Sequence, residues 1–337
     1  MSDNTTVILD ALGGDRAPAE VVRGGVAAAR NNDGLTVVLA GPRTELEEII
    51  QEDGPIPPNV EVVDAPERID MHEAPVKALR RKKKSSIAVG VEMVADGGAD
   101  AFVSAGNTGA VVAGCTLRLR LLKGVQKPGI AVPMLAIDHP VVAIDVGANV
   151  HCKASHLAQY ALMADVFAED ILELEDPRVG LLNVGEEEGK GNELAKNAYR
   201  LLEEAPVNFI GNVEARGVFG GGCDIVVCDG FAGNVMLKTG EALMLKLMDW
   251  VKEQAGQSLK RKLGFALCRE VFDDLKQRVD YAEYGSAPLL GVNGVALIAH
   301  GRSDARAIQN AVEEAGRCVR LDINERIAEA IGRGQQG

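Results

Sequence analysis

Aromatic residues are scarce in this chain of 337 residues: Phe, Trp and Tyr make up 4% of it, with a single tryptophan. Any large core must therefore be built from Val, Leu, Ile and Ala. Positive charge is also short. A formal net charge of −13 excludes general nucleic-acid binding, which needs a basic face. No uninterrupted apolar run approaches the ~20 residues that span a bilayer. The start, Met1-Ser2-Asp3-Asn4, has no basic segment leading into an apolar stretch, so the expectation is a cytoplasmic protein without a secretory signal. Six cysteines (Cys115, Cys152, Cys223, Cys228, Cys268 and Cys318) are scattered, and none forms a C-x-x-C pair. They read as reduced core residues, and no metal site is expected.

Three missing motifs narrow the chemistry. No G-x-G-x-x-G follows the first apolar run, so the usual dinucleotide fingerprint is lacking. The run from Gly185 to Gly191 is one residue short of a P-loop, and Gly191 stands where a Ser or Thr would bind magnesium, which excludes an NTPase. Ser104 has no G-x-S-x-G elbow around it, which argues against a serine nucleophile. No cofactor is implied by anything else.

What the chain does have is a recurring strand–turn–helix pattern. Ala101–Val103 is a short apolar run that stops at Ser104, passes Gly106, Asn107, Thr108 and Gly109, and re-enters an apolar stretch at Val111. That reads as a buried parallel strand, a tight turn and the first turn of a helix, whose free N–H groups suit an anion such as phosphate. Similar turns follow Thr5–Leu9 (Asp10, Gly13, Gly14, Asp15), Val179–Leu182 (Asn183–Glu186) and Ile225–Val227 (Asp229, Gly230, Gly233, Asn234). In a doubly wound sheet such turns open at the carboxyl ends of the strands, where ligands bind, so they are expected to converge on one cleft.

Thr36–Ala40, Val60–Val63 and Val295–Ala299 read as further strands, and Ile130–Ile137 with Val141–Val146 as an antiparallel hairpin. Helices are expected from a Ser86 cap to about Ala95, over Ser155–Leu174, over Glu193–Glu204 behind Asn192, over Asn234–Gln254, and from near Ser303-Asp304. The stretch Tyr284–Pro288 reads as a loop. The fold class is α/β: a doubly wound, mostly parallel sheet with helices on both faces, in one elaborated domain over 1–337. Residues 255–280 form an amphipathic helical protrusion within it.

Candidate site residues come from these turns. Lys190 lies on a glycine-flanked loop beside Asn192, and the flanking glycines favour a ligand role over a plain solvated lysine. Asp229, Asn234 and Lys238 lie along one strand–turn–helix, with Asn234 and Lys238 spaced to share a helix face. Asn234 is alternatively an N-cap and nothing more, and Asp10 and Asp15 are alternatively caps. His300, after a strand, is either a general acid or structural. Two basic clusters stand out: Arg80-Arg81-Lys82-Lys83-Lys84, and Lys260-Arg261-Lys262 with Arg269, opposite Leu259, Leu263, Leu267 and Phe272. Each is either a solvated face or a patch that steers an acidic partner or an anionic membrane.

The pieces LDALGGDRAP, PVKALRRKKKSS, DAFVSAGNTGA, DVGANV, RVGLLNVGEEEGKGNEL, NFIGNVE, VVCDGFAGNVMLKT, YGSAPLLGVNG and AHGRSDARAI, in this order, resemble the bacterial acyl-ACP:phosphate acyltransferases of phospholipid synthesis. The resemblance covers nearly the whole chain; Leu12 and Arg16 stand where that family commonly has Met and His. It implies transfer of a fatty acyl group from acyl carrier protein (ACP) to inorganic phosphate, a homodimer, a fold akin to phosphotransacetylase and the isopropylmalate dehydrogenases, and a membrane acyltransferase downstream. Lys190, Asn234 and Asp229 are then the catalytic candidates. Asp10, Gly13, Gly14, Ser104, Gly106, Asn107, Thr108, Gly109, Asn192, Lys238 and His300 are candidates for binding phosphate or substrate, and Arg80–Lys84 for docking ACP. Residues 258–279 would lie on an anionic bilayer, pack against the other subunit, or cover the acyl chain. A dehydrogenase would need a nucleotide site and a metal carboxylate cluster, and the sequence shows neither; a non-catalytic binder of phosphorylated ligands would need no converging lysine and asparagines.

Overall fold

Runs of Val, Ile and Leu buried on both sides demand helices above and below them, and the computed structural model, which describes residues 4–134, 141–272 and 286–334, has that arrangement. In chain order it begins with β1 (Thr5–Asp10), α1 (Ala19–Asn31), β2 (Leu35–Gly41), α2 (Arg43–Glu52), β3 (Val60–Asp64), α3 (Pro75–Arg81), α4 (Ser86–Ala95), β4 (Ala101–Ser104) and α5 (Thr108–Arg118). There follow β5 (Gly129–Met134), β6 (Val141–Ile144), α6 (Ala154–Leu172), β7 (Arg178–Leu182), α7 (Glu193–Glu203), β8 (Asn208–Val213), α8 (Ala215–Phe219) and β9 (Ile225–Val227). The long α9 (Gly230–Gly256), α10 (Leu259–Leu267), β10 (Ala287–Leu290), β11 (Val295–Ile298), α11 (Ala305–Arg320) and α12 (Ile323–Gly334) complete it.

The strands join in one 11-stranded sheet, in the order β3-β2-β1-β4-β11-β10-β5-β6-β9-β7-β8. Period-two side chains sort onto its two faces. Val7, Leu9, Val103, Val142, Ile144, Ile225 and Val227 pack under α1, α6, α7, α11 and α12. Ile8, Phe102, Val141, Ala143 and Val226 pack under α4, α5, α8 and the start of α9. With so few aromatics, Tyr160, Phe102 and Phe167 are the largest fully buried side chains. Truncating Phe102 to Ala would leave a cavity worth about 3–5 kcal/mol.

The expectation of turns opening on one edge is corrected by the middle of the sheet. β10 runs antiparallel to both β11 and β5, and β5 runs antiparallel to β6. Three reversals in a row leave β6, β9, β7 and β8 pointing opposite to β1–β4 and β11, while pairing within each group is parallel. The carboxyl ends of the two groups therefore lie at opposite edges. The expected hairpin is present, with Ala131 opposite Ile144 and Met134 opposite Val141; its connection, residues 135–140, lies outside the described residues.

Smaller differences concern ends and caps. The hydroxyl of Ser85, not Ser86, caps α4 by accepting from the Ala88 N–H. Helix α9 begins four residues before Asn234, capped by Asp229, so Asn234 is not an N-cap. Part of the stretch read as a loop is strand β10, where Ala287 pairs with Ile298. Strand β8 and helices α1, α2, α3, α8 and α12 were not anticipated. Ser258 caps α10, and the rest of the amphipathic segment beyond residue 272 lies outside the described residues.

Candidate active site

At the edge where β1, β4 and β11 end, Asp10 is the last residue of its strand and 1% exposed. Its carboxylate accepts the Ser104 hydroxyl at 2.7 Å and the Leu12 N–H at 3.1 Å, while the Gly106 N–H donates to Ser104 Oγ at 3.0 Å. Burial raises the Asp10 pKa, and hydrogen bonds from Ser86, Ser104 and Leu12 work against that rise. Arg68, which the sequence reading passed over, donates to the Gly14 carbonyl at 3.1 Å. Asp10, Gly13, Gly14, Ser104 and Gly106 thus form one interlocked pair of turns.

Asn107 caps α5 and is engaged at both ends. Its Oδ1 accepts from the Ala110 N–H at 3.0 Å, and its Nδ2 donates to the carbonyls of Asp70 and Met71 at 3.0 and 3.2 Å. Asn107, a candidate for binding phosphate or substrate, thus has its side chain engaged with backbone groups and shapes the turn. Thr108 and Gly109, in the first helical turn, are half-buried and exposed respectively.

His300 follows β11 and accepts the Arg302 N–H at Nδ1, at 3.1 Å. Burial lowers its pKa and the nearby Lys238 ammonium lowers it further, so the imidazole is neutral at pH 7. Lys238 comes from α9, about 12 Å along that helix from its start, and pairs with Glu241 at 2.9 Å. Glu241 was also passed over; its Oε1 is buried with no hydrogen-bond partner among the described residues.

At the opposite edge the organising residue is Asp145, just beyond β6 and fully buried. Its carboxylate accepts from four backbone N–H groups: Ile130 at 3.1 Å, Gly147 at 3.1 Å, Ala148 at 2.9 Å and Asn149 at 2.7 Å. Burial raises its pKa and these bonds oppose the shift. Asn149 in turn donates to the Pro128 carbonyl at 2.6 Å and the Tyr160 hydroxyl at 2.9 Å, and its own carbonyl accepts the Gly230 N–H at 2.9 Å. Gly233 packs so closely on the Asp145 carbonyl that no Cβ would fit. This close approach brings the start of α9, and Asn234 with it, against Gly147.

Asp229 accepts from the N–H groups of Phe231 and Ala232, both at 2.9 Å, so its carboxylate caps α9. Asn234 and Lys238 are exposed and share one helix face, as their spacing requires. With Val235, Thr239, Leu243 and Lys246 they form an open patch along one side of α9.

Lys190 sits on the loop after β7. An amide pair holds that loop: Asn183 donates to Asn212 Oδ1 at 2.9 Å and to the Lys190 carbonyl at 3.1 Å, and Asn212 donates to the Glu187 carbonyl at 2.9 Å. Gly191 adopts φ +88° against the Asn183 amide, a place for glycine alone. Lys190 itself is half exposed and 3.7 Å from Glu187. Asn192 accepts the Ala195 N–H at 2.9 Å as the cap of α7.

The basic run divides. Lys82 donates to the Arg68 carbonyl at 2.6 Å and, like Arg81, pairs with Glu73. Arg80, Lys83 and Lys84 are exposed. Among the described residues no group of three or more His, Cys, Asp or Glu could hold a metal ion.

The predicted residues therefore fall into three neighbourhoods: interlocked turns at one edge, the α9 start at the other, and the Lys190 loop. Helix α9 reaches from the second toward the first. Helix N-termini, an exposed asparagine and two exposed lysines can bind an anion and stabilise a developing oxyanion. Arg68 and Glu241 gave no signal in the sequence; Asp145 opens the piece DVGANV, but an acid after an apolar run reads as an ordinary turn.

Residues 5–326 match the model of a family described as fatty acid synthesis protein. A phosphate acyltransferase of Desulfitobacterium hafniense is 44% identical over 328 residues, 97% of this chain and 98% of that one. One from Nitratidesulfovibrio vulgaris is 47% identical over 330 residues, 98% and 95% of the two chains. Among solved structures, a phosphotransacetylase from Streptococcus pyogenes superposes with a TM-score of 0.61 at 16% identity, covering 98% of this chain and 95% of that one. A branched-chain phosphotransacylase from Enterococcus faecalis gives 0.58 at 14%, covering 94% and 99%. At such identities the structural likeness speaks to the fold alone, a mostly parallel α/β sheet flanked by helices.

Proposed function

The chain belongs to the phosphate acyltransferase family and is an acyltransferase, and from that premise we propose that it moves a fatty acyl group from acyl-ACP to inorganic phosphate, giving acyl phosphate for phosphatidic acid synthesis. One observation supports this most: Asn234 and Lys238 are exposed together on one face of α9 near its start, a polar and cationic setting for an anion. Phosphate, partly dianionic at neutral pH, is itself the nucleophile. A phosphate oxygen attacks the thioester carbonyl, the tetrahedral oxyanion collapses, and the carbon–sulfur bond breaks to leave the ACP thiolate, which takes up a proton. The protein's part is to hold phosphate against the carbonyl and to stabilise the oxyanion. Lys190 and Asn234 are the donors proposed for that step. Asp229 acts by fixing the α9 start that carries Asn234. The interlocked turns with Thr108 and Gly109, together with Lys238 and His300, bind substrate.

The protein is further read as one elaborated domain that works as a cytoplasmic homodimer, with exposed Arg80, Lys83 and Lys84 docking the acidic ACP. Among the described residues no helix is long and apolar enough to cross a membrane. The outward stripe of α10, Leu259, Leu263 and Leu267, is 64–84% exposed. It supports peripheral contact with an anionic bilayer, where an unstable acyl phosphate would pass to a membrane acyltransferase.

The test is incubation of the purified protein with a long-chain acyl-ACP, with and without phosphate, following free thiol and trapping acyl phosphate with hydroxylamine. Thiol release should require phosphate and match the trapped product. Equal release without phosphate would mean a thioesterase and end this reading.

A further inference from the structure

Two lysine–acid pairs of the same spacing lie on α9, in quite different settings. Lys246 and Asp249 stand 3.8 Å apart with the carboxylate side chain 66% exposed, and such a surface pair contributes little. Lys238 and Glu241 approach to 2.9 Å, and here the lysine side chain is 52% exposed while that of the acid is only 19% exposed. The Glu241 Oε2 takes the ammonium. The other oxygen, Oε1, is buried and has no hydrogen-bond partner among the described residues.

Helix stability does not account for the second pair. A lysine that precedes its acid is the less favourable order on a helix, because the charges then oppose the dipole. A buried carboxylate oxygen without a donor costs free energy that one half-exposed ion pair does not return. A group kept at such a cost calls for a reason other than packing. The lysine supplies one. Its charge sits at the end of a flexible four-carbon stem, and on this exposed face that stem would sweep freely without an anchor. Glu241 is the anchor, reached from the face that Lys238 shares with Asn234.

We infer that Glu241 is a positioning residue, whose Oε2 holds the Lys238 ammonium in one place on α9 to take an oxygen of the attacking phosphate. The identity of that anion rests on the acyl-transfer reading given above. An ammonium already fixed loses little further freedom when the anion arrives, so less of the binding energy goes into ordering. Glu241 acts through the lysine and does not touch the anion, which its carboxylate would repel. The same pair is felt at His300. Charges reach that imidazole from Lys238 and Glu241 on α9, from Arg302 after β11 and from Asp15 in the turn after β1. Lys238 and Arg302 add to the lowering of its pKa by burial, while Glu241 and Asp15 work against it.

A double-mutant cycle on the full chain tests this, with kinetics at varied phosphate and at varied acyl-ACP. Glu241→Gln should lower kcat/KM for phosphate at least about tenfold and leave the KM for acyl-ACP in place. Lys238→Met should do the same, and adding Glu241→Gln to it should cost little more. Asp249→Asn, which removes the acid of the exposed pair, should change neither constant. A second readout needs no turnover: NMR titration of the His300 imidazole, assigned by its loss in His300→Gln. Its midpoint should fall in Glu241→Gln and rise in Lys238→Met, because the two substitutions remove opposite charges. The assignment is overturned if Glu241→Gln keeps the parental kcat/KM for phosphate, if the two losses simply add, or if the imidazole midpoint stays where it was. It is equally overturned if the loss falls alike on both substrates and comes with a lowered melting temperature, the mark of a merely structural acid. A parent that releases thiol without phosphate would sink the reaction and this role with it. A phosphate-dependent parent with an indifferent Glu241→Gln would sink this role alone.

Discussion

Ser104 donates its hydroxyl to the buried carboxylate of Asp10 at 2.7 Å, joining the ends of two neighbouring parallel strands from residues 94 apart in the sequence. The same carboxylate holds the Leu12 N–H, so one acid closes two turns. Asp10→Ala should therefore destabilise the fold by about 1–3 kcal/mol for each buried donor left without a partner. Urea denaturation measures this, and an unshifted midpoint would show that the carboxylate is not a strut.

Lys190→Ala and Asn234→Ala should each lower turnover of acyl-ACP with phosphate by roughly 10²-fold or more, the scale of losing one transition-state donor. Both side chains are exposed or half exposed, so thermal stability should hardly change. Near-parental activity in either variant removes that residue from the catalytic set.

Replacing Arg80, Lys83 and Lys84 with glutamate should weaken use of acyl-ACP, and raised salt should weaken the parent in the same direction. Lys82 is left alone because its ammonium ties the Arg68 carbonyl to Glu73. Unchanged acyl-ACP kinetics in the triple variant would make the run a solvated approach to α4.

In a flotation experiment with anionic vesicles, the parent should rise with the lipid and Leu263→Glu with Leu267→Glu should stay below. A parent that remains at the bottom, or a variant that floats equally well, rules out bilayer contact through α10.

Stability should depend on pH through Glu314. Burial of its carboxyl raises its pKa from 4.5 to about 8, against a hydrogen bond from Ser286. The folded chain thus holds a proton that the unfolded chain has released. Its contribution is complete below pH 4.5 and is lost as the pH rises through about 8. Melting curves from pH 5 to 9 should show this decline, and Glu314→Gln should flatten it; an unflattened profile would place the decline elsewhere.

Much of the fold was legible because local pattern governs it. Val7 to Leu9, Phe102 and Ile225 to Val227 sit in runs apolar on both faces, and Asn192 and Asp304 carry the side chains that cap α7 and α11. The reversal at β10, β5 and β6 was not legible. It depends on pairing between residues as distant as Leu290 and Gly129, and the short run Ala287–Leu290 contains a proline and adjoins small residues, so it resembles a loop. The site was partly legible for the same reason. Spacing alone puts Asn234 and Lys238 on one face, whereas the gathering of N–H groups by Asp145 includes that of Ile130 on the neighbouring strand β5, a contact set by strand pairing and not by local pattern.

The reversal gives α9 a mechanical character. Its first turn is clamped to the Asp145 loop at one edge of the sheet, and by Lys238 it has reached His300, which belongs to the other edge. Among the described residues, the halves of the sheet are joined edge to edge through β10, β5 and β6. Helix α9 therefore ties the two halves together a second time, from the Asp145 loop to the neighbourhood of His300. The Lys238 ammonium and the His300 imidazole thus bring the two edges of the sheet into one electrostatic neighbourhood.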